Sequence, residues 1–456
     1  MSNTDAKIGT PDADTPTSVQ SLLDAAPFGR RRVIIFVLAF LAMMLEGIEV
    51  QMWGFVYPQI IAEWGTSLTT ITTIVTVGVV ALTLGAMVAG PLADRLGRKP
   101  IVVVGAAAFG LATLGGALAT NELMLGTTRT IACLGLGAVM PLVITLVAEI
   151  MPSRRRTNIV GITFAGFPLG TVVTGALAGA LIPALGWRAL LGVGGILALI
   201  LVPLLAWGMP ESVAFLARRG HRTRLDQVLV KIVPDFKTTD LAHIAPVTTV
   251  SQPRSIGTLL SRRYIRDAIV VWFCYFVTAG VVYIFLNYLP LIASAIGASA
   301  AVAGLAVALM GILGVVGALS IGYLMSKFGR HLVIGLYFTL AATTVWVMAS
   351  VSLAAGVLIG VSAIIGFTVV GLNSGMNAFS TADEVFPVES RATGVSWMHG
   401  FGKAGSIVSG FFGGTMLAAG WGIGQIYFTL GFPLILGAIA IAALRWSGRR
   451  RTSVSS

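Results

Sequence analysis

Glu46 and Glu49 stand three residues apart in LAMMLEGIEVQMWGFVY, a stretch whose other residues are almost all apolar. On a helix that spacing puts both carboxylates on one face. Trp53 and Tyr57, further along the same stretch, fall within about 20° of Glu46 at about 100° per residue, so carboxylates and aromatic rings share a stripe. Carboxylates this close in a low dielectric are not expected to ionise together, because desolvation and like charge both oppose it. Such a group suits the capture of a coupling proton; the plainer reading is a packing stripe with one ion pair. The segment WMHGFGKAGS supplies the opposite charge. His399 and Lys403 lie four residues apart on one face, and a lysine inside an apolar span needs a partner: Glu46, Glu49 or an anionic ligand. His399 fits either a tautomer bonded to a neighbouring helix or a ligand or relay group. Arg129, in TTRTIACLGLG, either snorkels to a surface or holds an anion. Tyr283, Asn287 and Tyr288, and separately Asn373 and Asn377, recur at helical spacing and suit a hydrogen-bonding wall or contacts between helices. Trp272, Phe273, Tyr275 and Phe276 read as an interfacial aromatic belt.

The elements that must position these groups are read from composition. Of 456 residues, 56% are hydrophobic and 11% charged, against about a quarter charged in an ordinary globular chain. A soluble domain is excluded. Apolar spans run at about residues 33–57, 67–90, 100–120, 123–149, 158–182 and 188–209, then 267–290, 299–325, 331–351, 354–380, 391–418 and 422–446. Spans of this length in hydrocarbon must be helices, since each has to satisfy its own backbone hydrogen bonds. The reading is an all-α integral membrane protein of twelve transmembrane helices in two six-helix bundles.

The excess of 30 Lys+Arg over 18 Asp+Glu does not point to nucleic acid, because the arginines cluster between spans. Arg30 to Arg32, the Arg95, Arg98 and Lys99 group, Arg154 to Arg156, Lys327, Arg330, Arg391 and Arg449 to Arg451 fall on one side; the opposite loops carry only Arg188. That alternation predicts both termini in the cytoplasm. Residues 1–29 are a polar tail without the basic start and apolar run of a secretory signal. The N-terminal bundle covers 30–209, a cytoplasmic linker 210–266, the C-terminal bundle 267–446 and a second tail 447–456. Cys133 and Cys274 sit in separate spans with no metal-site spacing, so neither a metal nor a cofactor is expected beyond a coupling proton. No nucleophile, phosphate loop or catalytic domain is visible, and an enzyme is not expected.

The halves repeat. Gly90-Pro-Leu-Ala-Asp94-Arg95-Leu-Gly97-Arg98-Lys99 aligns without a gap on Gly322-Tyr-Leu-Met-Ser326-Lys-Phe-Gly329-Arg330-His331. A tandem duplication of six helices is an architecture in which two bundles rock about a central site. Gly90 and Gly97 suit close packing and a tight turn. Asp94, Arg95, Arg98, Arg330 and Arg391, with Glu149 as an ion-pair partner, suit a charge network that opens and closes a gate.

GPLADRLGRKP at this place resembles the signature loop of the major facilitator superfamily. Within it the chain is similar to the aromatic acid:proton symporters on five stretches: Glu46-Gly-Ile-Glu49; Arg129 with Gly135-Leu-Gly-Ala-Val-Met-Pro141 and Glu149; Pro210-Glu211-Ser212; Asn287-Tyr-Leu-Pro290; and Arg391-Ala-Thr-Gly394 with Gly400-Phe-Gly-Lys403-Ala-Gly-Ser406. The resemblance implies proton-coupled uptake of an organic anion, an aromatic carboxylate of the benzoate type, across the inner membrane by a monomer. It assigns the proton to Glu46 and Glu49, the carboxylate to Lys403 and Arg129, and ring contacts to Trp53 and its neighbours. Lys403 replaces the family's usual Arg, both motif acids are Glu where Asp is usual, and Ser326 replaces an Asp. Export of the same acids, or carriage of nicotinate, shikimate or a non-aromatic carboxylate, remains an alternative.

Overall fold

The computed structural model describes residues 19–233, 259–261, 264–350, 355–380, 386 and 391–453. Among them, twelve long helices follow one another: α1 (Arg30–Trp64), α2 (Leu68–Leu96), α3 (Arg98–Ala117), α4 (Glu122–Ile150), α5 (Ser153–Leu185), α6 (Trp187–Gly208), α7 (Ile265–Ala295), α8 (Ala300–Phe328), α9 (Arg330–Ser350), α10 (Gly356–Ser380), α11 (Arg391–Ala418) and α12 (Ile423–Ser453). Eleven are long and apolar enough to cross a bilayer. The exception is α11, which has the length, 28 residues, but whose apolar character is diluted by His399, Lys403 and several Gly and Ser residues. The helix that is least at home in lipid is thus the one carrying Lys403, a half-buried cation.

Two spans run further than proline would suggest. The α1 helix passes through Pro58 to Trp64, and α7 through Pro290 to Ala295. Inside a bundle, neighbouring helices re-satisfy the backbone groups a proline frees. What stops these helices is glycine with positive φ: Gly65 (67°) caps α1, and Gly297 (75°) lies just past α7. The α5 helix starts earlier than expected, at Ser153, takes up Arg154 to Arg156, and is interrupted at Ala165. Within the linker, short helices cover Val213–Arg218 and Arg222–Ile232.

The repeat is visible in the caps. Gly65, Ser67 and Gly97 recur at one constant separation as Gly297, Ser299 and Gly329. Ser67 and Ser299 each accept from a backbone N–H of the following turn, at 3.1 Å from Thr70 and 3.4 Å from Val302. Gly97 (φ 100°) and Gly329 (φ 91°) make the turns into α3 and α9, a backbone shape that a side chain would resist.

The two bundles meet toward the end that carries the α1–α2 and α7–α8 loops. There Gln51 Nε2 of α1 donates to Leu286 O of α7 at 2.9 Å. A Cβ on Gly54 would meet Leu286 O at 3.0 Å, and the backbones of Gly175 (α5) and Gly304 (α8) press so closely that neither could carry a side chain. Gly414 of α11 lies directly against Thr72 of α2. Close approach through glycine gives van der Waals contact where lipid and protein are equally apolar. The end bearing the signature loop and the arginine clusters has no such glycine seam among the described residues.

Candidate functional site

The α1 stripe is set by what lies behind it. A Cβ on Gly47 would run into Phe167 O of α5, and Gly166 and Gly170 of α5 are likewise held against the backbone of α1. This seam fixes the rotation of α1 and turns Glu46 and Glu49 away from α5.

The two glutamates then enter different environments. Glu49, with no exposure, accepts Trp53 Nε1–H at 2.7 Å one turn along α1, Arg129 Nη1–H at 3.1 Å from α4, and the Thr113 hydroxyl at 3.4 Å from α3. Arg129 Cζ also lies 4.8 Å from the centre of the Trp53 ring, so one cation is shared by a carboxylate and an aromatic face. Arg129 is 2% exposed and directed inward. Trp53 and Tyr57 are fully enclosed, their rings 6.2 Å apart; in this conformation neither offers a free face to a ligand. Glu46, 4% exposed, has one carboxylate oxygen with no hydrogen-bond partner. Its electrostatic partner is Lys403 of α11, across the interface between bundles, at a separation beyond an ion pair. Of the two acids open to Lys403 in the sequence, the structure sets Glu46 opposite it; Glu49 is taken by Arg129, a pairing the sequence did not suggest.

The C-terminal bundle supplies a polar wall. Asn377 Nδ2 of α10 donates to Tyr275 Oη at 3.2 Å and to Asn373 O at 3.1 Å, and Tyr275 Oη is 3.3 Å from His399 Nδ1. Asn287 Nδ2 donates to Tyr283 O at 3.0 Å, while its buried Oδ1 has no partner. Tyr283, half-buried, lies within electrostatic reach of Arg129, and Tyr288 Oη ties α7 to Gly410 O of α11 at 2.8 Å. Tyr275 is the residue that sequence reasoning misplaced. With Trp272 it reads as an interfacial belt, yet both are buried: Trp272 Nε1 donates to Gly394 O at 3.0 Å and its ring stacks on Phe401. Phe273, 37% exposed, fits the belt reading. Aromatics opening a span carry no mark of which face they occupy until the neighbouring helix is placed. Thr113 carried no signal at all, being one hydroxyl in an apolar helix.

Of the expected gate residues, Asp94, Gly97, Arg98 and Glu149 form a lock inside the N-terminal bundle. Arg98 is ion-paired with Glu149, whose other oxygen accepts the Ser212 hydroxyl at 2.6 Å. Glu211 Oε1 accepts the backbone N–H groups of Arg98 (2.8 Å), Lys99 (3.2 Å) and Ser212 (2.8 Å), placing negative charge at the start of α3 where the helix dipole favours it. Arg219 donates to the carbonyls of Asp94 and Arg95 at 3.4 Å, and Arg218 lies 3.8 Å from the Asp94 carboxylate. Glu211 is central here and was legible only as part of the Pro210-Glu211-Ser212 run. Gly90 does not serve close packing: an added Cβ would meet nothing within 4 Å. Arg330 opens α9. The Arg391 side chain lies outside the described residues.

Residues 35–385 and 271–456 match the Major Facilitator Superfamily. The chain belongs to that superfamily. Over 434 residues it is 35% identical to the gallate transporter of Pseudomonas putida, covering 95% of this chain and 96% of that protein. It is 33% identical over 425 residues to the 4-hydroxybenzoate transporter PcaK of Pseudomonas aeruginosa, covering 93% and 94%. In fold it matches the crystal structure of the D-xylose-proton symporter with a TM-score of 0.68 at 17% identity, over 90% of this chain and 97% of that one. The chain is a multi-pass membrane transporter of this superfamily and not an enzyme. The charges on α1, α4 and α11 come from both halves, and in transporters built from such repeats the substrate site lies at the interface between them.

Proposed function

We propose that the protein is a proton-coupled symporter of the inner membrane that brings an aromatic carboxylate into the cell. The observation that carries this reading is Glu46 facing Lys403 between the bundles, a carboxylate with an unpartnered oxygen opposite a cation, each belonging to a different half. A charge at this depth without a direct ion pair is expensive and serves traffic of protons or ions. Relatives similar over nearly the whole chain are named as transporters of gallate and of 4-hydroxybenzoate, which supplies the ring-bearing acid.

Glu46 takes the proton and Lys403 the substrate carboxylate. Protonation of Glu46 removes the counter-charge that occupies Lys403, so the ammonium becomes available to the incoming anion and the loaded site is closer to neutral. Glu49 and Arg129 keep their mutual pairing and orient α1 against α4. The arginine clusters favour the signature-loop end as the cytoplasmic one, which puts the glycine seams on the outer side. A single chain contains every group this scheme uses.

The test is uptake of labelled aromatic and aliphatic acids into energised membrane vesicles, with and without a protonophore. Accumulation of an aromatic acid that the protonophore abolishes supports the reading. Accumulation indifferent to the protonophore removes proton coupling, and extrusion from preloaded vesicles reverses the direction.

A further inference from the structure

The polar wall of the C-terminal bundle has a direction. Asn377 Nδ2 carries two hydrogens, and both are placed: one on Asn373 O at 3.1 Å, one on Tyr275 Oη at 3.2 Å. Tyr275 Oη is therefore already an acceptor, and the one neighbour left to receive its own hydrogen is His399 Nδ1, at 3.3 Å. A histidine that accepts at Nδ1 is neutral and carries its proton on Nε2. The rings of Tyr275 and His399 meet edge to face with centroids 5.2 Å apart, and Gly402 leaves the space the Tyr275 ring occupies. His399 Nε2 has no partner among the described residues and the side chain is exposed. It shares its face of α11 with Lys403, which looks across to Glu46, so the exposed nitrogen borders the space between the bundles.

Resting on the carboxylate reading above, we propose that His399 Nε2–H is a specificity group that donates to a ring hydroxyl of the substrate, with Tyr275 and Asn377 as the positioning residues that fix its tautomer. Four residues along a helix rise about 6 Å, roughly the length of a phenyl ring with its para substituent. An acid whose carboxylate sits at Lys403 thus presents an oxygen on the far side of its ring to His399. An acid with a bare ring leaves that donor to water. One neutral hydrogen bond, partly solvated, corresponds to roughly tenfold discrimination.

The experiment uses the full chain in proteoliposomes with two probes, benzoate and 4-hydroxybenzoate, measuring KM and maximal rate for each in the wild type, in Tyr275→Phe and in Asn377→Ala. Tyr275→Phe keeps the ring packing and removes the hydroxyl that sets the tautomer; Asn377→Ala reaches the same proton from the other end, so a poorly produced variant does not leave the question open. The expected result is a KM ratio favouring 4-hydroxybenzoate by about tenfold in the wild type and collapsing toward unity in both variants, with the change lying in KM for the hydroxylated acid. A ratio that stays as in the wild type overturns the proposal. So does an equal shift for both acids, which is the mark of a merely structural role. A wild type that carries both acids without preference overturns this inference alone, as does one that carries neither while accumulating another aromatic acid; one that accumulates no aromatic acid overturns the functional reading with it.

Discussion

Arg129 of α4 reaches Glu49 of α1 across 3.1 Å, and neither side chain has more than a few per cent exposure. The pair holds one of two neighbouring acids in a buried contact with a cation, and leaves the other, Glu46, with an unpartnered oxygen. Two carboxylates three residues apart on one helix are given different surroundings by the helices packed against them.

Breaking that pair from one side is expected to cost more than removing it entirely. Arg129→Met leaves Glu49 buried without its cation, a change of about 3–5 kcal/mol. The double replacement Arg129→Met with Glu49→Leu should recover most of that loss. Thermal midpoints of the purified protein in detergent check this; a double variant no more stable than the single one removes the structural role assigned to the pair.

Glu46→Gln should separate exchange from accumulation. The amide resembles the protonated acid, so counterflow of labelled against unlabelled substrate persists while uphill accumulation is lost. The pH dependence follows in sign. In the wild type, raising the external pH empties the proton site and lowers uptake at subsaturating substrate; in Glu46→Gln counterflow should be flat over the same range. A variant whose pH profile copies the wild type places the coupling proton elsewhere.

Lys403→Ala should abolish saturable uptake, and Lys403→Arg should retain it. A lysine is a point charge, whereas the guanidinium grips a carboxylate through two parallel hydrogen bonds, so KM should fall or hold. Initial rates over a substrate series measure both. A full-rate Lys403→Ala transporter would mean that the carboxylate docks on another group.

How far the sequence foresaw this arrangement depends on the range of each interaction. The α1 stripe and the His399–Lys403 pair were legible because spacing along one helix is local geometry. The twelve helices were legible because the bilayer imposes length. Which acid meets which cation was not, since depth places Glu46, Glu49 and Lys403 at similar levels and Arg129 nearer a surface, while the choice depends on helix rotation, set by Gly47 against Phe167. The run past Pro58 was missed for a similar reason: proline marks an end only where nothing nearby satisfies the freed carbonyl. Tyr275 looked like a belt residue until Asn377 and His399 were brought to it by α10 and α11.

The lock at the start of α3 depends on Gly97 and not on Gly90. Gly97→Ala places a Cβ at φ 100° and directly against the Glu211 carboxylate, a strain of about 1–3 kcal/mol. Gly90→Ala meets open space and should be nearly silent. Thermal unfolding and initial uptake rates of the two variants, side by side, test whether the signature loop acts through this turn; equal effects would count against it.

The outer seam offers a way to trap the carrier. Gly175 and Gly304 approach so closely that a side chain on either would displace the opposing backbone, and rigid bundles respond to such an insertion by rotating apart. Gly304→Val should therefore hold the outer side open, whereas Gly335→Ala, in open space, serves as the control. Spin labels at the exposed positions Thr69 of α2 and Ala295 of α7 report the separation across that end. The expected result is a longer distance in Gly304→Val, loss of net transport, and binding of substrate from the outside still measurable. An unchanged distance with transport lost would instead mean that the glycines maintain the fold of the bundles and take no part in their alternation.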